Sequence, residues 1–172
     1  MIIGVIGGAD VSSEVREQAF EVGRRIAEAG ATLVCGGLGG VMEAACRGAR
    51  SAGGLTIGIL PEGDTATANP YVSAPVATAM GIARNAIIVH TADVLIAVDG
   101  SYGTLSEIAM ALKLGKTVVQ LQSWRLHEAG EVDATLCLAA ESPADAVEKA
   151  VSVAKRLRAG PGKPIFPRNR PY

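Results

Sequence analysis

Two glycine-rich turns carry the residue types best suited to binding a phosphate. The first, Gly36–Gly40, follows the β-rich run Ala31–Cys35 and precedes a helical pattern that begins at Val41. Because glycine has no Cβ, the backbone can approach an anion closely, and the N–H groups and dipole of the following helix attract negative charge. The turn holds no Asp or Glu, but its spacing is not the GxGxxG of dinucleotide sites. It predicts either a phosphate site or a tightly packed strand–helix connection.

The second turn, Gly100–Gly103, follows the apolar strand pattern Val94–Val98 and opens another helix. Two strand–turn–helix units in one small sheet predict an anion-binding site. Asp99 stands directly before this turn. Its charge would either weaken phosphate binding by repulsion or hold a ribose hydroxyl.

Arg84, Asn85 and Glu107 are the polar side chains that could act on a ligand. Arg84 can donate two parallel hydrogen bonds to phosphate oxygens, and Asn85 offers a donor and an acceptor. The alternative for Arg84 is an ordinary surface ion pair. Glu107 completes the pattern Thr104-Leu105-Ser106-Glu107, a capping box in which its side chain bonds the Thr104 N–H. Alternatively, it faces the ligand crevice, where it contacts ribose hydroxyls or stabilises positive charge developing on a sugar.

Histidine and cysteine are too few and too scattered to predict a metal site. His90 and His127 have no ligand spacing, and Cys35, Cys46 and Cys137 form no CxxC pair. We interpret the cysteines as buried thiols of a reducing compartment.

The elements that must position these residues alternate between short β-rich runs and Ala-rich helical stretches. With 172 residues, 49% of them hydrophobic and only 3% aromatic, the chain can bury one core of aliphatic side chains. The pattern predicts strands at 2–6, 31–35, 55–60, 72–76, 94–98, 117–121 and 135–138, and helices at 12–29, 41–52, 82–91, 104–114 and from 142 to about 157. The predicted fold class is α/β, a doubly wound, mostly parallel sheet of about seven strands, Rossmann-like, in a single domain. Ligands bind such sheets outside the carboxyl ends of the strands, where both turns lie.

We assign residues 1–158 to this domain and residues 159–172 to a proline-rich basic tail, which is either disordered or an arm across a neighbouring subunit. The Ala-rich helices favour a homodimer or larger homo-oligomer. A net charge of −1 gives no electrostatic reason to bind nucleic acid. No apolar run approaches the ~20 residues that cross a bilayer, and no basic leader precedes the first strand. We therefore expect a cytoplasmic protein with no membrane partner.

Three segments together resemble the LOG-like Rossmann family, whose older label is "putative lysine decarboxylase". They are Gly-Gly-Leu-Gly-Gly-Val-Met at 36–42, Gly-Ile-Ala-Arg-Asn at 81–85 and Gly-Thr-Leu-Ser-Glu at 103–107. The resemblance covers about residues 1–157. In the enzyme branch of that family, a PGGxGTxxE motif and an Arg-Lys pair serve a phosphoribohydrolase. It cleaves cytokinin riboside 5′-monophosphates, or simpler nucleoside monophosphates, to the free base and ribose 5-phosphate.

The resemblance implies a catalytic arginine at Arg84, a catalytic glutamate at Glu107 and a phosphate-binding turn at 100–104. Two departures favour a sister branch that is similar in fold and includes a molybdenum-cofactor carrier protein. Asp99 and Ser101 stand where the enzyme motif has proline and its second glycine, and Asn85 replaces the lysine.

Two functions follow from the resemblance. The first is binding of a nucleoside 5′-monophosphate or a similar phosphorylated ligand and hydrolysis of its N-glycosidic bond. The alternative is a carrier or sensor, without chemistry, of a phosphorylated pterin such as the molybdenum cofactor, or of a nucleotide. A scaffold with a vestigial site is a third possibility. No cofactor is required in any of these, and lysine decarboxylation is not among them.

The residues predicted to contact the ligand combine the turns with the polar side chains. The catalytic candidates are Arg84 and Glu107. The candidates for phosphate or ligand binding are Gly7, Gly8, Gly36, Gly37, Gly39, Gly40, Met42, Asn85, Asp99, Gly100, Ser101, Tyr102, Gly103 and Thr104.

Overall fold

The computed structural model describes residues 1–124 and 135–159 of the chain. Strands in this part are β1 (Ile2–Gly7), β2 (Thr32–Cys35), β3 (Thr56–Leu60), β4 (Ala74–Ala77), β5 (Val94–Val98), β6 (Val118–Leu121) and β7 (Cys137–Ala140). Helices are α1 (Ser13–Glu28), α2 (Val41–Ser51), α3 (Asn85–Thr91), α4 (Tyr102–Lys113) and α5 (Pro143–Ala159), and a short 3-10 helix (Gly81–Arg84) precedes α3.

The strands form one parallel sheet in the order β4-β3-β2-β1-β5-β6-β7. The chain moves outward from β1 to β4, then returns to the other side of β1 to form β5, β6 and β7. Every residue of β5 is buried, as expected for a parallel strand with helices over both faces. This confirms the predicted α/β, doubly wound sheet.

Helices cover both faces of the sheet. The buried side chains of α1, α2 and α5 form a core on one face, and those of α3 and α4 form a second core on the other. Glycine lets α1 and α2 pack backbone against backbone. A Cβ on Gly23 would lie 1.9 Å from the Ala45 carbonyl oxygen, and a Cβ on Gly48 would lie 1.9 Å from the Phe20 carbonyl oxygen. Helices α1 and α2 therefore pack with small residues at their contact, in a chain with few aromatic side chains.

Most predicted elements are present, with shifted ends. Helix α1 begins at Ser13, one residue after the predicted start at 12, because Ser12 is the N-cap and its hydroxyl accepts a hydrogen bond from the Val15 N–H at 3.3 Å. The strand predicted at 72–76 lies at Ala74–Ala77, because its ladder with β3 begins only at Ala74. The strand predicted at 135–138 lies at Cys137–Ala140, where it pairs with β6. The helix predicted at 82–91 is a 3-10 helix followed by α3, and α4 begins two residues before the predicted start at 104.

Some expectations fall outside the described residues, namely those on His127 and on nearly all of the tail at 159–172. In the described part of the chain, no helix has both the length and the apolarity that a membrane span requires.

Candidate functional site

A cavity of about 320 Å³ opens at the carboxyl edge of the sheet. Residues that follow β1, β2, β3 and β5 line it, together with the 3-10 helix that follows β4. It lies where the chain reverses its direction across the sheet, between β1 and β5, which is the usual ligand position in doubly wound folds. The volume is at the lower end of the range for small-molecule pockets, roughly 300–1,000 Å³.

In the first turn, Gly37 lets neighbouring protein atoms pack closely against the backbone. It has a φ of +72°, and a Cβ there would lie 2.8 Å from Leu60 Cδ2. Asn69 holds the turn from the other side, since its Nδ2 donates to the carbonyl oxygens of Gly37 at 3.1 Å and Leu38 at 2.9 Å. This part of the turn is a tightly packed connection.

Gly40 begins helix α2 in a conformation that glycine favours, with φ +64° and ψ −127°. A Cβ on Gly40 would lie 2.3 Å from the Gly8 carbonyl oxygen, and that oxygen accepts a hydrogen bond from the Val41 N–H at 3.0 Å. One amide of the α2 N-terminus is therefore already used. Within the described chain, the amides of Met42 and Glu43 have no acceptor.

The second turn leaves the start of helix α4 open. Ser101 is the N-cap, but its side chain accepts no hydrogen bond from the helix. The first α4 amide that bonds a carbonyl is Leu105, whose N–H donates to the Ser101 oxygen at 3.0 Å. The amides of Tyr102, Gly103 and Thr104 have no acceptor among the described residues. An uncapped helix start of this kind is suited to bind an anion.

The end of β6 and the residues after it fix this turn in place. Asp99 has a φ of +50°, its N–H donates to the Leu121 oxygen at 3.1 Å, and its carbonyl oxygen accepts from Ser123 Oγ at 2.6 Å. The Trp124 indole N–H donates to the Ser101 oxygen at 3.1 Å, and its ring packs against Tyr102 with centroids 6.0 Å apart. The Asp99 side chain does not line the cavity, and its two predicted effects on a phosphate remain predictions.

Three buried polar residues, Arg84, Asn85 and Glu107, form what we call the floor of the cavity. Their exposed fractions are 8%, 7% and 6%. Arg84 Nη1 donates to Asn85 Oδ1, and Arg84 Nη2 lies 3.4 Å from the Gly36 carbonyl oxygen. Arg84 Nε is buried and has no acceptor among the described residues. The surface ion pair considered for Arg84 is therefore wrong.

Glu107 faces Arg84 without a hydrogen bond to another described residue. Burial raises the pKa of the Glu107 carboxyl to about 7, although the Arg84 charge lowers it. Burial likewise lowers the pKa of the Arg84 guanidinium, which the charge of Glu107 opposes. The capping-box interpretation of Glu107 is wrong, because α4 begins at Tyr102 and Glu107 lies beyond its first turn.

The cavity brings together part of the predicted site. The predicted residues that line it are Gly7, Gly8, Gly36, Met42, Arg84, Asn85, Ser101, Thr104 and Glu107. Those that do not line it are Gly37, Gly39, Gly40, Asp99, Gly100, Tyr102 and Gly103. The second group shapes the turns, as Gly100 shows. Its φ is +119°, and a Cβ there would lie 2.4 Å from Thr104 Oγ1.

Sequence reasoning missed several residues that line the cavity. They are Val5, Ile6, Ala9, Leu38, Pro61, Gly81 and Ile82. Each lies at or just after the carboxyl end of a strand, or in the 3-10 helix that follows β4. Their shared position at this edge of the sheet is the signal that could have identified them.

The cysteines and acidic residues show no metal site in the described chain. Cys35 and Cys46 are buried, as predicted, and their sulfur atoms lie 3.5 Å apart. Cys137 is half-buried. Among residues 1–124 and 135–159, no three His, Cys, Asp or Glu side chains gather in a way that could hold a metal ion.

Several known proteins are similar to this chain. An uncharacterized protein of Archaeoglobus fulgidus is 47% identical over 144 residues, which cover 80% of this chain and 95% of the relative. The molybdenum cofactor binding protein of the phototrophic bacterium Rippkaea orientalis is 38% identical, with a TM-score of 0.83 over 88% of this chain and 96% of its own. The molybdenum cofactor carrier protein of Chlamydomonas reinhardtii is also 38% identical, with a TM-score of 0.82 over 90% of this chain and 98% of its own.

A family model gives the same classification. Residues 1–154 match the model described as the SLOG cluster4 family, which confirms the resemblance to LOG-like proteins. The chain belongs to the SLOG cluster4 family.

Proposed function

We propose that this protein binds a phosphorylated pterin, the molybdenum cofactor, and carries it without changing it. The observation that carries the proposal is the cavity itself, which joins an open helix start to a buried polar floor. The identity of 38% to a molybdenum cofactor binding protein and to a molybdenum cofactor carrier protein supports the choice of ligand.

The phosphate end of the ligand fits the start of α4, which we call the mouth of the cavity (Ser101 and Thr104). The free amides of Tyr102, Gly103 and Thr104 supply hydrogen-bond donors, and the helix dipole adds partial positive charge. Ser101 is exposed and carries no charge. The mouth therefore offers a phosphate several donors, and Asp99, just before the turn, is the nearest acidic residue in sequence.

The ring end of the ligand fits the deeper part of the cavity. Val5 and Ile6 of β1 line it beside the buried floor. A planar heterocycle can pack on this apolar wall while its polar edge faces Arg84, Asn85 and Glu107. The cavity thus separates a site for the phosphate from a site for the ring.

Retention of the ligand tests the proposal. The protein is purified gently under anaerobic conditions, denatured, and assayed for pterin by fluorescence and for molybdenum by mass spectrometry. We expect both in a fixed ratio to protein. A preparation that carries neither, and that does not take up the cofactor when incubated with it, would contradict the proposal.

A matched pair of variants separates binding from folding. Ser101→Asp places a carboxylate at the mouth, and Asp is also a favourable N-cap, so α4 keeps or gains stability. Ser101→Asn is the neutral control with a similar shape. We expect cofactor retention to fall by about tenfold in Ser101→Asp only. Equal retention in the two variants would show that the phosphate does not bind at the start of α4.

A second candidate function is hydrolysis of a nucleoside 5′-monophosphate, which the Glu107 carboxyl favours. This group lies buried in the cavity, and burial raises its pKa to about 7. Such a carboxyl can stabilise positive charge on a ribose or orient a water. Glycosidases usually use two carboxylates, and Glu107 is the only one among the described residues that line the cavity.

Incubation with a panel of nucleoside monophosphates tests this second function. Release of ribose 5-phosphate by the wild type, lost in Glu107→Gln, would support hydrolysis. Release at the same rate from both proteins would remove Glu107 from the reaction.

We also propose a homodimer or larger homo-oligomer. Strand β4 forms one edge of the sheet, and Val76 on it and the neighbouring Met80 are exposed apolar side chains. Light scattering after size-exclusion chromatography would measure the mass. A monomer at micromolar concentration would contradict the proposal, and a truncation at Gly160 tests whether the tail contributes.

A further inference from the structure

We infer that Glu107 recognises the 2-amino-4-oxo edge of the ligand's pyrimidine ring, an edge that pterins share with guanine. The inference rests on the proposed function, because it assigns a role within the same cavity. It differs from the catalytic role that the family resemblance implies, since no bond of the ligand is broken.

On the floor of the cavity, one hydrogen-bond acceptor group and one donor group have no partner among the described residues. The Glu107 carboxylate has no hydrogen bond to another described residue, although it is 6% exposed. Asn85 Oδ1 is engaged by Arg84, which turns the Asn85 amide so that its Nδ2 donors remain, and no described residue accepts from them. Among the described residues, the fully buried side-chain atoms without a partner are Gln18 Oε1 and Arg84 Nε, so the Glu107 oxygens and Asn85 Nδ2 are open to the cavity that both residues line. A ligand in this cavity can therefore hydrogen-bond to them.

The required pattern is an acceptor next to two donors. In a pterin the carbonyl oxygen O4 accepts a hydrogen bond, while N3–H and the 2-amino group donate side by side. Guanine presents O6, N1–H and its 2-amino group in the same order. A carboxylate has two oxygens that can accept both donors at once, and an amide or guanidinium can donate to the ring oxygen. Glu107 with Asn85 and Arg84 forms this complement.

A phosphate does not fit the floor as well as a ring does. A phosphate needs donors only, whereas Glu107 offers carboxyl oxygens, and its ionised form would repel the phosphate. The mouth offers donors only, in the amides of Tyr102, Gly103 and Thr104. Thr104 and Glu107 lie on the same side of α4, and both line the same cavity. The mouth and the floor therefore belong to one cavity that a single ligand can occupy.

Adenine and hypoxanthine lack this edge, which makes the inference testable with simple ligands. Adenine has no pair of adjacent donors. Hypoxanthine keeps the carbonyl oxygen O6 and N1–H but lacks the 2-amino group. Guanosine, inosine and adenosine 5′-monophosphates carry the same phosphate and ribose. Their affinities therefore differ only through the ring edge.

Isothermal titration calorimetry with these three nucleotides tests the role of Glu107. The proteins are the wild type, Glu107→Gln, and Glu43→Gln as a control in which a carboxylate outside the cavity lining is changed. We expect the wild type and Glu43→Gln to prefer the guanosine nucleotide over the inosine nucleotide by at least about tenfold. In Glu107→Gln the preference should fall to near one. A wild type without preference, or an unchanged preference in Glu107→Gln, would overturn the inference.

Phosphate-free ligands identify the source of the edge and separate this inference from the proposed function. The affinities of 6-hydroxymethylpterin and of guanosine are measured and compared with the affinity of ribose 5-phosphate. Tighter binding of the pterin assigns the site to pterins, and tighter binding of guanosine assigns it to guanine nucleotides; both outcomes support recognition of the edge. If ribose 5-phosphate binds and neither ring compound does, recognition of the edge fails while the phosphate site stands. If cofactor retention and ribose 5-phosphate binding both fail, the proposed function fails as well.

Discussion

The two glycine-rich turns have similar compositions and follow parallel strands in the same sheet, but they have different physical roles. In the first turn, other protein atoms pack closely against Gly37 and Gly40, and the Val41 N–H of α2 donates a hydrogen bond to the Gly8 carbonyl oxygen. In the second turn, the first amides of α4 have no acceptor in the described chain, and a Cβ on Gly103 would meet nothing within 4 Å.

This difference teaches that glycine content alone does not identify an anion site. What matters is whether the helix that follows begins beside a cavity and keeps its first amides free. By that criterion the second turn is the better phosphate site, although Asp99 and Ser101 depart from the enzyme motif there. The first turn contributes Leu38 and Gly36 to the cavity lining, and the Gly36 carbonyl oxygen lies 3.4 Å from Arg84 Nη2 on the floor.

The largest expected effect is that of Gly40→Ala. A new Cβ would lie 2.3 Å from the Gly8 carbonyl oxygen, a backbone atom, and the residue would be held at φ +64°. We expect the free energy of unfolding to fall by about 4 kcal/mol, since overpacking and strain both contribute. Chemical denaturation would measure it. Gly39→Ala is the control within the same turn, because its nearest contact would be an ordinary 3.7 Å. Equal losses in the two variants would mean that the turn is not packed as described.

The next effect is on the pH dependence of the free energy of unfolding. We expect Glu107, in the helix that follows the second turn, to make the largest contribution. Its pKa rises from an ordinary 4.5 to about 7 in the folded state. The folded protein thus binds this proton more tightly than the unfolded chain does. The resulting stabilisation is complete below 4.5 and is lost as the pH rises through 7. It amounts to at most about 3 kcal/mol.

Comparison with Glu107→Gln isolates that contribution. Denaturation of both proteins across this pH range should show the wild type losing stability relative to the variant as the pH increases. Parallel profiles would show that Glu107 does not titrate in this range.

A smaller effect is expected on ligand affinity in Gly36→Ala. The Cβ would lie 2.5 Å from Arg84 Nη2 and 2.7 Å from Met42 Sδ, which are ends of flexible side chains. The fold should persist while Arg84 moves on the floor, and affinity for the cofactor should fall by about tenfold. Calorimetry would measure it against Gly39→Ala. Unchanged affinity in Gly36→Ala would mean that the position of Arg84 does not matter for binding.

The smallest effect is a gain. Gly103 lies in the first turn of α4, and a Cβ there would contact no heavy atom within 4 Å. Gly103→Ala should therefore raise the free energy of unfolding by about 0.5–1 kcal/mol, because alanine loses less backbone entropy in a helix. Ligand binding should not change. A loss of stability would show that position 103, like position 40, needs its glycine.

Much of the fold could be predicted from local patterns. The strand at Val94–Val98 is apolar throughout, and both of its ends were predicted correctly. The ends of β4, β7 and α4 were not, because strand ends depend on ladder partners and helix starts depend on which turn residues the neighbouring elements hold. Asp99 and Ser101 show this, since Leu121, Ser123 and Trp124 fix their backbone from β6 and the segment after it.

The candidate site divides in the same way. The sequence by itself determined the residue types, namely two glycine turns at strand ends, Arg84 with Asn85, and Glu107 in the helix that follows the second turn. Only the tertiary structure decided that Glu107 lines a cavity rather than caps a helix, and that the α4 amides stay free while one α2 amide is taken by Gly8. The reason is physical: local propensity acts over a few residues, whereas burial, hydrogen-bond partners and free space depend on elements that meet only when the sheet is assembled.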